Sequence, residues 1–192
     1  MIINSKSITK KNVAYTIRSA VATDAEVLSQ LRVQIDGETE FLDREPGEGF
    51  LDAHAFERII QEDNAADNHL FIVVEVDGSL VGFARCAGSP LKRLRHQTEL
   101  GICLLQAYCG VGIGTHLLRA AISWADANGI RKILLKVLET NTGAIALYKK
   151  FGFETEGVLR DDKRLSDGQF YNTIVMGRLT LHSLPHHSDS IM

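Results

Sequence analysis

The chain has 192 residues, 45% of them apolar and 23% charged, with a formal net charge of −3. That length allows one ordinary domain with a buried core, and the mild negative balance gives no global field for nucleic acid. Three scattered cysteines, Cys86, Cys103 and Cys109, form no CxxC pair, which argues against a disulfide framework and for a reducing compartment.

Residues Met1 to Asn12 read as a loose polar leader without the apolar stretch of a signal peptide. No apolar run is long enough to span a bilayer, so the expected setting is the cytoplasm. Ala14 to Ala20 alternates as a first strand. Thr23 with Glu26 reads as a capping box for a helix carrying Val27, Leu28, Leu31 and Ile35. An acidic stretch follows from Asp36 to Gly49, with Glu38, Glu40, Asp43, Glu45 and Glu48 around Pro46; it reads as a loop with a little helix. Such a run is either a solvated surface or a lure for a cationic amine. Asp52 to Asn64 is a second amphipathic segment.

The pattern then turns to strands. Leu70 to Val76 and Leu80 to Ala87 flank Asp77-Gly78, a hairpin signal, and Thr98 to Leu105 is a third run. A glycine-rich turn leads into a helix over Thr115 to Asn128, stopped at Gly129. Lys132 to Leu138 reads as a buried strand and Thr142 to Phe151 as a helix. A last hairpin joins Phe153–Arg164 to Phe170–Leu179. Residues 182–192, with His186 and His187, read as an untethered tail. Residues 13–181 then form one domain between flexible termini 1–12 and 182–192. Its class is α/β, with a mixed, mostly antiparallel sheet of about six or seven strands flanked by helices.

The turn Tyr108-Cys109-Gly110-Val111-Gly112-Ile113-Gly114-Thr115 joins a strand to a helix. Glycines let a ligand approach the backbone, and the helix start offers unpaired N–H groups and a positive dipole end, an anion site. A P-loop would need lysine before Thr115, and a Rossmann turn would need G-x-G-x-x-G opening a βαβ unit. A coenzyme A diphosphate site and a ligand-free turn both remain.

The second motif is Asn141-Thr142-Gly143-Ala144-Ile145-Ala146-Leu147-Tyr148-Lys149-Lys150-Phe151-Gly152-Phe153. With the glycine turn, it resembles the GNAT family of N-acetyltransferases. There a Q/R-x-x-G-x-G/A turn binds the diphosphate, and an N-x-x-A-x-x-L-Y-x-K-x-G-F helix lies against the pantetheine arm. Both motifs stand in the family's order, with a helix and a strand between them. One departure is Cys109, where the family usually has Gln or Arg; a thiol activated at a helix start and a small residue that simply fits are its two readings.

The resemblance implies acetyl-CoA as cosubstrate and an N-acetyltransferase acting on an amino acid, a small amine or a protein N-terminus. It implies cofactor contacts from Cys109, Gly110, Val111, Gly112, Ile113, Gly114 and Thr115, and from Asn141, Ala144 and Tyr148. The backbone of Ile102, Cys103 and Leu104 would pair with pantetheine like an added strand, with Gly101 easing a bulge there. Tyr148 is the expected general acid toward the coenzyme A sulfur, and Glu99 the candidate base. No metal is expected, nor a nucleic-acid or membrane partner; a homodimer is an allowed assembly. The rival readings are a non-catalytic acetyl-CoA binding or sensor module and a nucleotide-dependent enzyme.

Overall fold

The computed structural model of the protein describes residues 2–180. Eight strands make one sheet in the order β1-β2-β3-β4-β5-β6-β8-β7. They are β1 (Lys6–Lys10), β2 (Val13–Ser19), β3 (Leu70–Val76), β4 (Ser79–Gly88), β5 (Gln97–Leu104), β6 (Lys132–Leu138), β7 (Glu154–Arg164) and β8 (Phe170–Leu179). Only β5 and β6 run parallel. Four α-helices flank the sheet: α1 (Ala25–Glu38), α2 (Ala53–Ala65), α3 (Ile113–Ala127) and α4 (Thr142–Lys150).

The strand count corrects the expected six or seven. The extra strand is β1, which lies inside the segment read as a loose leader. It pairs with β2 from Lys6↔Ile17 to Lys10↔Val13. An edge strand needs only one partner and a turn, so its polar sequence carried no burial signal. The turn is Lys11-Asn12, both with left-handed φ, +49° and +63°. The β3–β4 turn, Asp77-Gly78, has the same form, with φ +48° and +79°. Left-handed values at both central positions match the twist of a two-residue hairpin.

β3 is buried along almost its whole length, because helices cover both faces. Leu70, Ile72 and Val74 join Ile113, Leu117, Leu118 and Trp124 in the core beneath α3. Phe71 and Val73 join Leu28, Leu31, Ile35, Phe56 and Ile60 in the core beneath α1 and α2. A strand covered on both sides reads as a continuous apolar run rather than an alternating one.

The expected Thr23/Glu26 capping box is not the device that starts α1. A short 3-10 turn over Ala22–Asp24 precedes the helix. The Asp24 carboxylate accepts the Val21 N–H at 2.9 Å and two bonds from Arg18, at 2.7 and 2.8 Å. An arginine on the neighbouring strand therefore sets the entry to α1, which local spacing could not reveal. Nor is there a bulge at Gly101: β4 and β5 pair in continuous register from Gly82↔Leu104 to Gly88↔Thr98. The tail assigned to residues 182–192 lies outside the described residues.

Candidate active site

β5 is held along its length by β4, and β6 by β8 from Lys132↔Leu179 to Leu138↔Thr173. Between them, β5 and β6 pair only over Gln97↔Lys132, Thr98↔Ile133 and Glu99↔Leu134. Each strand follows its outer partner, so the two part after Glu99. The segment Leu100–Leu104 thus presents an edge in the middle of the sheet, and an unpaired edge is a template for an extended ligand. A cleft of about 1000 Å³ opens there, lined by Glu99, Ile102, Cys103, Leu104, Asn141 and Tyr148 among others.

The glycine turn lies at one end. Gly110 and Gly112 have φ of +75° and +98°, and Gly112 is the N-cap of α3. No side chain caps the helix, and its first bond runs from the His116 N–H to the Gly112 carbonyl at 3.2 Å. The amides of Ile113, Gly114 and Thr115 precede that bond, and the first turn of a helix leaves such N–H groups without an intrahelical acceptor. The Ile113 side chain is fully buried in the core, so only its backbone can serve a ligand. Cys109 donates its thiol to the Leu105 carbonyl at 3.6 Å. Burial, then the Glu38 carboxylate, pushes this thiol up from its ordinary value. Of its two readings, the small residue that fits is the one this geometry favours.

Two residues absent from the expected site sit over the turn. The Lys11 ammonium donates to the Gly110 carbonyl at 2.9 Å. Lys10 lies across Gly112, where an added Cβ would meet its Nζ at 2.7 Å. Both come from the β1–β2 hairpin. Nearby, the Tyr15 hydroxyl and His116 Nδ1 are hydrogen-bonded to each other. Burial first, then the charges of Lys10, Arg119 and Lys6, hold the His116 imidazole below its usual range. The turn is therefore a positive region even with cysteine at position 109. The one legible signal was the pair Lys10-Lys11 before Asn12 between two alternating stretches.

α4 carries the second motif. Asn141 caps the helix, its side-chain oxygen accepting the Ala144 N–H at 3.2 Å. Tyr148 is half-buried and tilted against Phe153, with ring centroids 5.8 Å apart. Its hydroxyl has no hydrogen-bond partner among the described residues, though it lines the cleft. Burial, then the field of Cys103, pushes the phenol up to about 12. It is a proton donor throughout the neutral range. Glu99 is exposed at the point where the strands part, 3.6 Å from the Lys136 ammonium.

The two faces of β5 have separate duties. Ile102 and Leu104 pack toward the α3 core, and Cys103 toward the α1–α2 core. The cleft thus has a cofactor-type side and an opposite side walled by α1, by the chain between α1 and α2, and by Phe56, Phe71 and Phe83. Among the described residues, no cluster of three or more His, Cys, Asp or Glu side chains could hold a metal ion. No helix there is long and apolar enough to cross a membrane.

A parted strand pair, an uncapped glycine turn at the start of α3 and a tyrosine lining the cleft are the features of an acyltransferase that takes a long thioester cosubstrate. The chain belongs to the acetyltransferase (GNAT) family, whose profile matches residues 36–153. Acetyl-CoA is the family's cosubstrate. The chain is 30% identical to an acetyltransferase of the GNAT family from Streptococcus pneumoniae, with a TM-score of 0.84 over 86% of this chain and 99% of that one. It is 32% identical over 110 residues to the L-amino acid N-acetyltransferase AaaT of Escherichia coli K12, covering 56% of this chain and 67% of that protein. A streptothricin acetyltransferase from Streptomyces lavendulae is 30% identical over 155 residues, 72% of this chain and 81% of that protein.

Proposed function

We propose that the protein transfers the acetyl group of acetyl-CoA directly to a primary amine, on an amino acid, a small amine or a protein N-terminus. The observation that carries this is the Tyr148 hydroxyl, which lines the cleft together with Leu100–Leu104 of β5 and has no hydrogen-bond partner among the described residues. The relatives named for L-amino acids and for streptothricin support acetyl transfer as the chemistry. The reading implies a cytoplasmic setting, supported by three free cysteines.

Each residue then has a task. The turn amides and the ammonium groups of Lys10 and Lys11 hold the diphosphate. The free edge of Leu100–Leu104 aligns the pantetheine arm, and one of its N–H groups polarises the thioester carbonyl. Glu99, directly or through water, takes a proton from the attacking amine. The C–N bond forms, the C–S bond breaks, and Tyr148 gives its proton to the departing sulfur.

A covalent acetyl-cysteine is disfavoured by the state of the thiols. Burial, then the field of Asp36, pushes Cys103 up to about 12; Cys86 is buried and also raised. A protonated thiol is a poor nucleophile. Initial rates with varied acetyl-CoA and amine should therefore give intersecting double-reciprocal lines. Incubation with acetyl-CoA alone should leave the protein mass unchanged. Parallel lines with an acetylated protein would overturn direct transfer.

The lysine hairpin gives a second expected result. Replacing Lys10 and Lys11 together by alanine should weaken coenzyme A at least about tenfold, roughly 1.4 kcal/mol. The deficit should shrink at high salt, because the lost contacts are ionic and partly exposed. Unchanged affinity by titration calorimetry would remove both lysines from the phosphate site.

A further inference from the structure

The wall of the cleft opposite α3 carries two guanidinium groups on one buried carboxylate. Asp36 and Arg32 lie one helical turn apart on α1, with side chains 2% and 9% exposed, and Arg32 Nε is 3.7 Å from Asp36 Oδ2. Arg44, from the chain after α1, donates its Nε to the same Oδ2 at 3.2 Å. Two cations facing one anion leave a net positive charge. Burial, then repulsion from Arg44, holds the Arg32 guanidinium below its usual range, with Asp36 acting against both.

The two arginines differ in what they have to spare. Arg32 spends its terminal nitrogens on the Gly49 carbonyl at 2.9 Å and the Glu48 carbonyl at 3.3 Å. The terminal nitrogens of Arg44 have no acceptor among the described residues, and Arg44 lines the cleft. A planar fork with two free N–H directions is shaped for a carboxylate. It also lies near the point of transfer: the Cys103 thiol feels Asp36, Arg44 and Arg32, and Tyr148 in turn feels Cys103.

The nearby carboxylates Glu38, Glu40, Asp43 and Glu99 each hold a hydrogen bond or an ion pair, and two of the four are matched by a cation. Glu38 accepts the Gln106 N–H at 2.7 Å, near the glycine turn. Glu40 accepts the Ser166 N–H at 3.0 Å. Asp43 pairs with Lys163 at 2.5 Å, and Glu99 with Lys136. The acidic stretch straps the chain after α1 across the sheet. The surplus positive charge of the cleft sits on the Arg32–Asp36–Arg44 group, and the lining carboxylate without a cation among the described residues is Glu38, at the Gln106 end.

We infer that the acceptor amine carries a carboxylate, received by the free fork of Arg44, with Asp36 and Arg32 positioning that guanidinium. The acceptor class is then an α-amino acid or a similar amino carboxylate rather than a polyamine or a simple amine. The inference rests on the acetyl-transfer reading above.

The test uses matched acceptors: α-amino acids, their carboxamides and their decarboxylated amines, with spermidine added, all assayed by thiol release. The native protein should favour the acid over its amide by about 100-fold or more in kcat/KM, as loss of a desolvated charge pair commonly costs. Arg44→Gln should bring that ratio to within about threefold of one, and Arg44→Lys, which keeps charge but loses the fork, should fall between. Circular dichroism confirms that the variants fold; the native ratio stands as a test without them. Equal use of acid and amide, a preference for spermidine, or a ratio that survives Arg44→Gln would overturn the inference. So would acetyl-CoA binding in calorimetry with no acceptor of the set turned over. Failure to bind acetyl-CoA at all would instead overturn the reading beneath it.

Discussion

Replacing Tyr148 by phenylalanine should lower kcat by about 10²- to 10⁴-fold, the usual worth of a general acid. Acetyl-CoA affinity should stay within about threefold, because the lost interaction strengthens only as charge builds on sulfur. The ring keeps its packing against Phe153, and the hydroxyl has no partner among the described residues to strand. The fold should therefore tolerate the change. With the phenol raised to about 12, Tyr148 stays protonated through the neutral and mildly alkaline range and loses its acid function only as pH rises toward that value. A fall in kcat at low pH would not come from Tyr148, which is already protonated there. The defect of the phenylalanine variant should grow with thioesters of more basic thiols. A drop of only a few-fold, flat across leaving groups with chemistry rate-limiting, would show that Tyr148 only packs.

Replacing Gly112 by valine should weaken coenzyme A by at least about tenfold, on the order of 1.4 kcal/mol. Two effects act together. The φ of +98° at Gly112 is strained for any side chain and worst for a β-branched one. An added Cβ also occupies the place of the Lys10 side chain. The second contact alone would be mild, since the end of a lysine can move; the backbone strain cannot be avoided. Gly114→Ala separates strain from ligand contact. A Cβ at Gly114 meets nothing within 4 Å, and its φ is not left-handed. Affinity lost there reports approach of the diphosphate itself. Coenzyme A should raise the melting temperature of the native chain, because it binds only the folded state. A folded Gly112→Val protein with native affinity would refute the diphosphate assignment.

The elements near the site were legible because their signals are local. Gly110 and Gly112 stand where the backbone needs left-handed φ, and Asp77-Gly78 marks a turn whose form only such residues adopt readily. The α4 motif sets Asn141 and Tyr148 seven residues apart on one helix face, so capping at one end predicts exposure to the cleft at the other.

What the sequence determined by itself was the α/β class, the order of nearly all the elements and the two motifs that name the cofactor side. These rest on periodicity and turn chemistry, which act over a few residues. Only the tertiary structure decided that β1 completes the sheet and brings Lys10 and Lys11 over Gly110 and Gly112, nearly a hundred residues away. Only it decided that Arg18 sets the start of α1, and that β5 and β6 part because each follows a different outer strand. Likewise Arg32, Asp36 and Arg44 become a charged wall of the cleft only when the chain after α1 folds back along that helix. Charge pairing and strand divergence depend on which segments meet through space, and spacing along the chain carries no record of that.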